Sequence, residues 1–310
     1  MTNESKECPI CNKNSFIFYK LIESKILNIP GGLDRGHEEK IKIFRCISCK
    51  LFKTIDLNKN LNLEKIYSEE SISFDASLSK HNNLFESSIT TNEFDLIDKK
   101  PPANLLEVGC GAGQFLLRAT KKGYNTFGID LDKKAINYVT KKLELNAKNC
   151  ILSDLSKTKK FDIIFLMGVF EHIENPNQLL QEIKLRLKDD GELIIGLPNS
   201  RSLNFYMSNI GREGWDMFLE PGHIFHYQKQ NLKKLLHLHN FKLVNYKTGT
   251  VKIRGKIPFF IYRNVKLEKW IMRSIERSNL LRWLYIMLLK SLDLFNMGDI
   301  LIANFKMKKI

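Results

Sequence analysis

The sequence predicts an α/β fold: a mostly parallel sheet with helices on both faces, preceded by a small cysteine-bearing module. Three observations predict it. Asn104–Asp132 reads as strand, glycine turn, helix and second strand, with an acid closing the second strand. Phe161–Met167 (FDIIFLM) is an unbroken apolar run, the pattern of a strand buried on both faces of a parallel sheet. Ahead of both, Cys8-x-x-Cys11 and Cys46-x-x-Cys49 form two matched pairs.

In the first of these stretches Leu105, Leu106 and Val108 make the strand, and Gly109, Gly111 and Gly113 alternate through the turn. Without Cβ atoms they let the backbone bend sharply and approach a ligand closely. The helix that follows offers its first N–H groups to polar ligand atoms. Asp130 stands where a carboxylate accepts hydrogen bonds from both hydroxyls of a ribose. The spacing G-C-G-A-G departs from the nicotinamide-dinucleotide fingerprint G-x-G-x-x-G, and Glu107 lies two residues ahead of it.

This E-x-G-x-G-x-G pattern, with an acid after the next strand, resembles the class I S-adenosylmethionine-dependent methyltransferases over roughly Asn104–Phe305. The resemblance implies a Rossmann-like, seven-stranded, mostly parallel sheet whose closing antiparallel strand is Asp299–Phe305 (DILIANF), after Gly298. It implies S-adenosylmethionine as cofactor, held by Glu107, Gly109, Cys110, Gly111, Gly113, Asp130, Leu131, Asp154, Leu155 and Met167. In that set Asp154 accepts from the adenine's exocyclic amine and Leu155 flanks the ring; the competing reading of Asp154 is a loop acid or helix cap.

The whole chain sets bounds. Its 310 residues hold one large domain and a small module, and 43% apolar residues suffice for a core. No apolar run reaches the ~20 residues of a membrane span, and MTNESKECPI lacks the apolar stretch of a secretory signal, so a cytoplasmic protein is expected. The net charge of +15 suits anionic surroundings, although lysine is spread along the whole chain. Without a secretion signal the paired cysteines suggest metal rather than disulfides.

Residues 1–57 read as a zinc ribbon. Phe16–Leu21 and Ile41–Arg45 are strands feeding the two knuckles, and Cys8, Cys11, Cys46 and Cys49 place four thiolates around a structural Zn²⁺. His37, in the glycine-rich loop PGGLDRGHEE, reads as solvated. Phe16, Phe18, Tyr19, Phe44 and Phe52 fit the ribbon's own small core, which favours a structural or acceptor-positioning lid over nucleic-acid binding. Sugar C-methyltransferases are similar in carrying such a module.

Residues 58–100 form a linker in which Leu84, Phe85, Ile89, Phe94 and Ile97 make a loose helical stripe. By the resemblance this helix covers the cofactor cleft, and Pro101-Pro102 bounds it. The main domain, 101–310, continues with a helix at Lys133–Leu145, a third strand at Asn149–Leu152, and the fourth at Phe161–Met167. A helix at Asn177–Leu187, an Asp190-Gly191 turn, a strand at Glu192–Leu197, a helix at Gln228–His239 and a strand at Phe241–Lys247 follow. At the fourth strand's exit, Glu171-His172-Ile173 resembles ubiquinone-type methyltransferases. Their pattern carries an extra acid where Gly168 stands here, which argues against metal assistance from this segment. Glu220-Pro221-Gly222-His223-Ile224-Phe225-His226 resembles the family's P-x-H-x-H segment, folded over the active site. Residues 251–297 read as a helical insertion mixing Phe259, Trp270, Trp283 and Leu284 with Arg254, Arg263, Arg273 and Arg277. Such segments lie on anionic membrane, roof an acceptor pocket or pair with a second subunit.

A methyl donor of this kind needs an aligned nucleophile and exclusion of water; a base is needed where the nucleophile is protonated. His172 and His223 are the candidates, with Glu171 orienting His172 or binding acceptor hydroxyls. The expectation is methyl transfer to a small molecule, a hydroxyl of a sugar, glycan or lipid-linked precursor. A nucleic-acid methyltransferase and an inactive cofactor-binding scaffold are the alternatives. The fourth-strand exit lacks the N-P-P-Y-type motif of base-methylating enzymes, which argues against the former.

Overall fold

The computed structural model describes residues 7–25, 38–56, 92–210, 215–220, 222–250, 273–275 and 277–308. Strands β1 (Phe16–Lys25), β2 (Glu38–Cys46) and β3 (Phe52–Asp56) come first. They are followed by β4 (Asn104–Val108), α1 (Gln114–Lys121), β5 (Asn125–Asp130), α2 (Lys133–Lys141), β6 (Ala147–Asn149) and β7 (Phe161–Met167). Then come α3 (Pro176–Arg186), β8 (Leu187–Pro198), α4 (Leu203–Ile210), α5 (Asp216–Leu219) and β9 (Phe225–His226). The chain closes with α6 (Lys229–Leu238), β10 (Phe241–Gly249), α7 (Asn279–Leu294) and β11 (Ile300–Met307).

The main sheet has seven strands in the order β10-β11-β8-β7-β4-β5-β6, and β11 runs antiparallel to both its neighbours. Side chains alternate across it. Leu105, Ile163, Phe165, Ile194 and Ile302 pack on one face with Phe115 of α1, while Leu106, Ile164, Leu166, Ile195 and Leu301 pack on the other. Both faces are covered, which is why FDIIFLM shows no polar alternation. Helix starts follow local chemistry: the Asp132 carboxylate accepts from the N–H groups of Lys134 and Ala135, and Asn175 caps α3 ahead of Pro176.

Three boundaries differ from the sequence reading. The third strand is Ala147–Asn149, and Leu152–Asp154 is a turn of 3-10 helix instead of its end. Asp190-Gly191 lies inside β8, where the pairing with β7 jumps from Phe161↔Leu187 to Ile163↔Glu192. In the described part of the expected cleft-covering helix, Glu93–Leu96 is a single 3-10 turn packed on the sheet. Phe94 stacks on Phe115 at 5.0 Å, and the fully buried Glu192 carboxylate accepts the N–H groups of Asp98 and Lys99 at 3.0 Å. Leu84, Phe85, Ile89, His37 and the front of the 251–297 insertion lie outside the described residues.

The small sheet runs β1-β2-β3-β9, so its fourth strand comes from the segment after the sheet's fifth parallel strand. The ribbon's aromatics therefore do not form a private core. Phe18 and Tyr19 are exposed, and buried Phe52 packs on Phe205 and Phe218 at 5.3 and 5.8 Å.

Candidate functional site

The glycine turn after β4 divides its labour. A Cβ on Gly109 (φ +73°) would lie 2.3 Å from Val169 Cγ2, and one on Gly113 (φ +75°) 2.8 Å from Val139. These two glycines permit close packing. Gly111 (φ +48°) has nothing within 4 Å of that position, so its bare side opens onto free space. Asp130 fixes the turn: one carboxylate oxygen accepts from Gly111 N–H and the other from Asp132 N–H, each at 2.8 Å. A carboxylate has about four acceptor positions, so capacity remains for a ligand hydroxyl. Burial raises its pKa.

Glu107 is buried, its Oε2 has no partner among the described residues, and burial holds its carboxyl well above the usual range. A buried carboxyl with one oxygen unpartnered, two residues ahead of the glycine turn, fits a ligand with donor groups, as an adenosyl amino acid has. Cys110 is buried, and Leu131 and Met167 are half-buried. Asp154 is exposed and caps its own turn by accepting from Ile151 N–H at 3.2 Å, while Leu155 is buried. Arg186, fully buried on α3, donates to the carbonyls of Ser153 (3.0 Å) and Leu155 (2.5 Å) and so pins that turn. The sequence reading missed this residue, because an arginine among the lysines of a helix end carries no distinguishing signal.

At the end of β7 the chain turns through Phe170–His172. The contact of Val169 with the Gly109 position sets this turn against the glycine cradle. Ile224 N–H donates to the Glu171 carbonyl at 2.9 Å and brings the second histidine segment over it. His172 and His223 then stand 4.6 Å apart, ring centre to ring centre, and Glu171 Oε1 lies 3.9 Å from His223 Nε2. His223 Nδ1 is 3.1 Å from the Met217 carbonyl. Burial pushes Glu171 up to about 8. Burial, then the neighbouring His223, pulls His172 down to about 3. His226 behind them is also held neutral by burial. Ligand-type atoms of Glu171, His172 and His223 fall within 4.8 Å of one another, so the missing acid at Gly168 still leaves a cation-sized cluster.

The four cysteines converge. All their sulfurs lie within 4.8 Å of one another, Cys8 with Cys49 at 3.6 Å and Cys11 with Cys46 at 3.9 Å. Four sulfurs each ~2.3 Å from one Zn²⁺ in a tetrahedron stand ~3.8 Å apart, so the donor set and spacing fit that ion. Asn12 (φ 48°) and Lys50 (φ 64°) close the two knuckles in left-handed conformation, donating to the carbonyls of Cys8 and Cys46. The hydrogen bond with Cys49 holds the Cys8 thiol down to about 5.

This strand order, with a glycine cradle after β4, an acid ending β5 and a histidine turn after β7, defines a class I S-adenosylmethionine-dependent methyltransferase fold. A family model described as a methyltransferase domain matches residues 87–246, and the chain belongs to that family. Among similar proteins is the ubiquinone biosynthesis O-methyltransferase of Pelagibacter ubique (strain HTCC1062), 29% identical over 157 residues, 44% of this chain and 65% of that protein. The protein of that name from Rickettsia bellii (strain OSU 85-389) is 27% identical over 137 residues, 39% of this chain and 57% of its own length. The chain thus spans less than two thirds of these relatives. A Burkholderia thailandensis 1,6-didemethyltoxoflavin-N1-methyltransferase structure shares the fold, with a TM-score of 0.52 and 14% identity over 90% of this chain and 98% of that one. The plantazolicin methyltransferase structure does likewise, at 0.50 and 19% over 80% and 95%.

Proposed function

We propose that this protein transfers the methyl group of S-adenosylmethionine to a hydroxyl of a small molecule, a sugar, glycan or lipid-linked precursor. The observation that supports the reading is the close approach of Val169 to Gly109, which brings the strand exit carrying Glu171 and His172 up to the glycine turn. Bound there, the donor would supply a methyl on a sulfonium leaving group. Glu107, Gly111 and Asp130 would hold its amino acid and ribose, and the Ser153–Leu155 turn its adenine. The small-molecule class draws support from the relatives, which are ubiquinone biosynthesis O-methyltransferases.

His172 is the unprotonated imidazole throughout the neutral range and accepts a hydrogen bond from the acceptor's hydroxyl, but with a pKa of about 3 it is a weak base for the proton. The four cysteines hold a structural zinc in the 1–57 module, with 58–100 as linker and 101–310 as the transferase domain. Transfer of labelled methyl from S-adenosylmethionine into fractionated extract tests the reading. Label in small glycans or lipids supports it, while label in RNA, or none, overturns it.

A second observation favours work at a membrane surface. Helix α7 buries Leu289, yet leaves Leu280, Trp283, Leu284, Met287 and Leu288 exposed, beside Arg277, Arg282 and Lys290. No described helix is long and apolar enough to cross a membrane, so contact would be peripheral. Flotation with phosphatidylglycerol vesicles tests this: Trp283→Ser with Leu284→Ser should abolish it, and unchanged flotation rejects it.

A further inference from the structure

A pocket of about 420 Å³ lies between the second cysteine knuckle and the start of α6, and none of His172, His223 and His226 lines it. Lys50, Arg201 and Lys234 line it, together with Cys49, Tyr206, Gln228 and Asn231, and no Asp or Glu does. The first turn of α6 contains no acid either, so its positive end is uncompensated. Asn231 supplies the decisive detail. It is 1% exposed, and its Oδ1 accepts from Gln228 N–H at 2.9 Å, closing the helix cap. Its Nδ2 has no hydrogen-bond partner among the described residues. A buried amide donor left unpaired costs ~1–3 kcal/mol unless something accepts from it. Three cations, a helix N-terminus and this donor around one pocket call for an acceptor-rich anion.

We propose that this pocket binds a phosphoryl or pyrophosphoryl group, with Arg201 and Lys234 clamping its oxygens and Asn231 Nδ2 donating to it. Arginine matches such oxygens in two-point fashion, and lysine adds a point charge. The exposed face of Tyr206, whose other side abuts Phe205 at 5.5 Å, provides a stacking surface for an attached base or ring. The proposal stands apart from methyl transfer, because anion binding is measured without donor or turnover.

The test is calorimetric titration of the full chain, at fixed ionic strength, with inorganic phosphate, inorganic pyrophosphate and a nucleoside diphosphate. Saturable binding of pyrophosphate is expected. Arg201→Gln should weaken it about tenfold, roughly 1.4 kcal/mol. Asn231→Asp keeps the oxygen that caps Gln228 and replaces the donor with a negative charge, so it should abolish binding. Tighter binding of the nucleoside diphosphate than of pyrophosphate assigns the site to a phosphorylated organic molecule, and equal binding to the free anion. Absence of saturable binding overturns the proposal, as would unchanged affinity in Arg201→Gln, an exposed position whose melting temperature should match the parent's.

Discussion

The hydroxyl of Thr54 and the Nε2 of His226 lie 2.5 Å apart, joining the cysteine module to the strand that follows the second catalytic histidine candidate. Thr54 N–H also donates to the Ile224 carbonyl at 2.9 Å, and Ile224 N–H to that of Glu171. Ile224, immediately ahead of β9, thus links the module to the histidine turn. Thr54→Val leaves the buried imidazole short of one bond and should cost ~1–3 kcal/mol in unfolding. It should lower kcat several-fold with the affinity for S-adenosylhomocysteine within twofold, and Thr54→Ser should restore both. A kcat unchanged by Thr54→Val would show that the link does not align the site.

Metal analysis should find one zinc per chain, and none after Cys46→Ser. Cys46 is buried and also bonded by Ser15 Oγ at 3.1 Å, so no other donor can replace it in place. Zinc loss should unfold the module first, since structural zinc supplies ~10–16 kcal/mol of folding free energy in small domains. Full zinc retention in Cys46→Ser would contradict a four-thiolate site.

The buried acid and imidazole give opposite pH slopes. Glu171 has an ordinary pKa of 4.5 and a folded value of about 8, so the folded state holds its proton while the unfolded state has released it. Stability therefore falls as pH rises between 4.5 and 8. His172 has an ordinary value of 6.5 and a folded value of about 3, so its contribution falls as pH drops from 6.5 toward 3. Above 6.5 only Glu171 of the two acts. Glu171→Gln should flatten the decline of melting temperature between pH 6.5 and 8, and His172→Gln the decline on the acid side. An unaltered slope in either variant refutes that assignment.

Arg186 is expected to matter for both stability and cofactor. Arg186→Ala strands Glu182, which it pairs with at 2.5 Å, and frees the carbonyls of Ser153 and Leu155. Because a buried charged network is broken, the loss should be about 3–5 kcal/mol. Arg186→Met, which restores the volume without the charge, should be milder in unfolding yet still weaken S-adenosylhomocysteine binding. Equal cofactor affinity in Arg186→Met would show the turn needs no pin.

Asp130→Asn should weaken S-adenosylhomocysteine binding at least tenfold in calorimetry. The amide turns an acceptor toward Gly111 or Asp132 into a donor facing a donor. Gly111→Ala should do the same by filling the open cradle, with a strain cost of ~1–2 kcal/mol from its left-handed backbone. Full binding in both would move the cofactor elsewhere.

The sheet was legible because its signals are local: the alternating glycines, the apolar run and the antiparallel closing strand each occupy a few consecutive residues. The four cysteines were legible for the same reason, and they meet in space as their spacing suggested. What escaped was long-range. Glu192 looked like the ordinary start of a strand, yet it is fully buried and holds a segment nearly a hundred residues earlier. Phe52 read as ribbon core because nothing in its neighbourhood announces Phe205 and Phe218. Asn231 lay unremarked within the helix expected at Gln228–His239, and only the fold reveals its unpaired amide.

The shared strand β9 has a bearing on inheritance. A cassette that lends a backbone ladder to its neighbour cannot be grafted or lost as a unit. Cutting the chain after Asp56 and discarding what precedes it would bare an unpaired edge and the flank of Phe205, Trp215 and Phe218, inviting self-association. A chain so truncated would have to re-cover that flank to stay dispersed, so the cysteine module and the methyltransferase domain shield one another's surfaces.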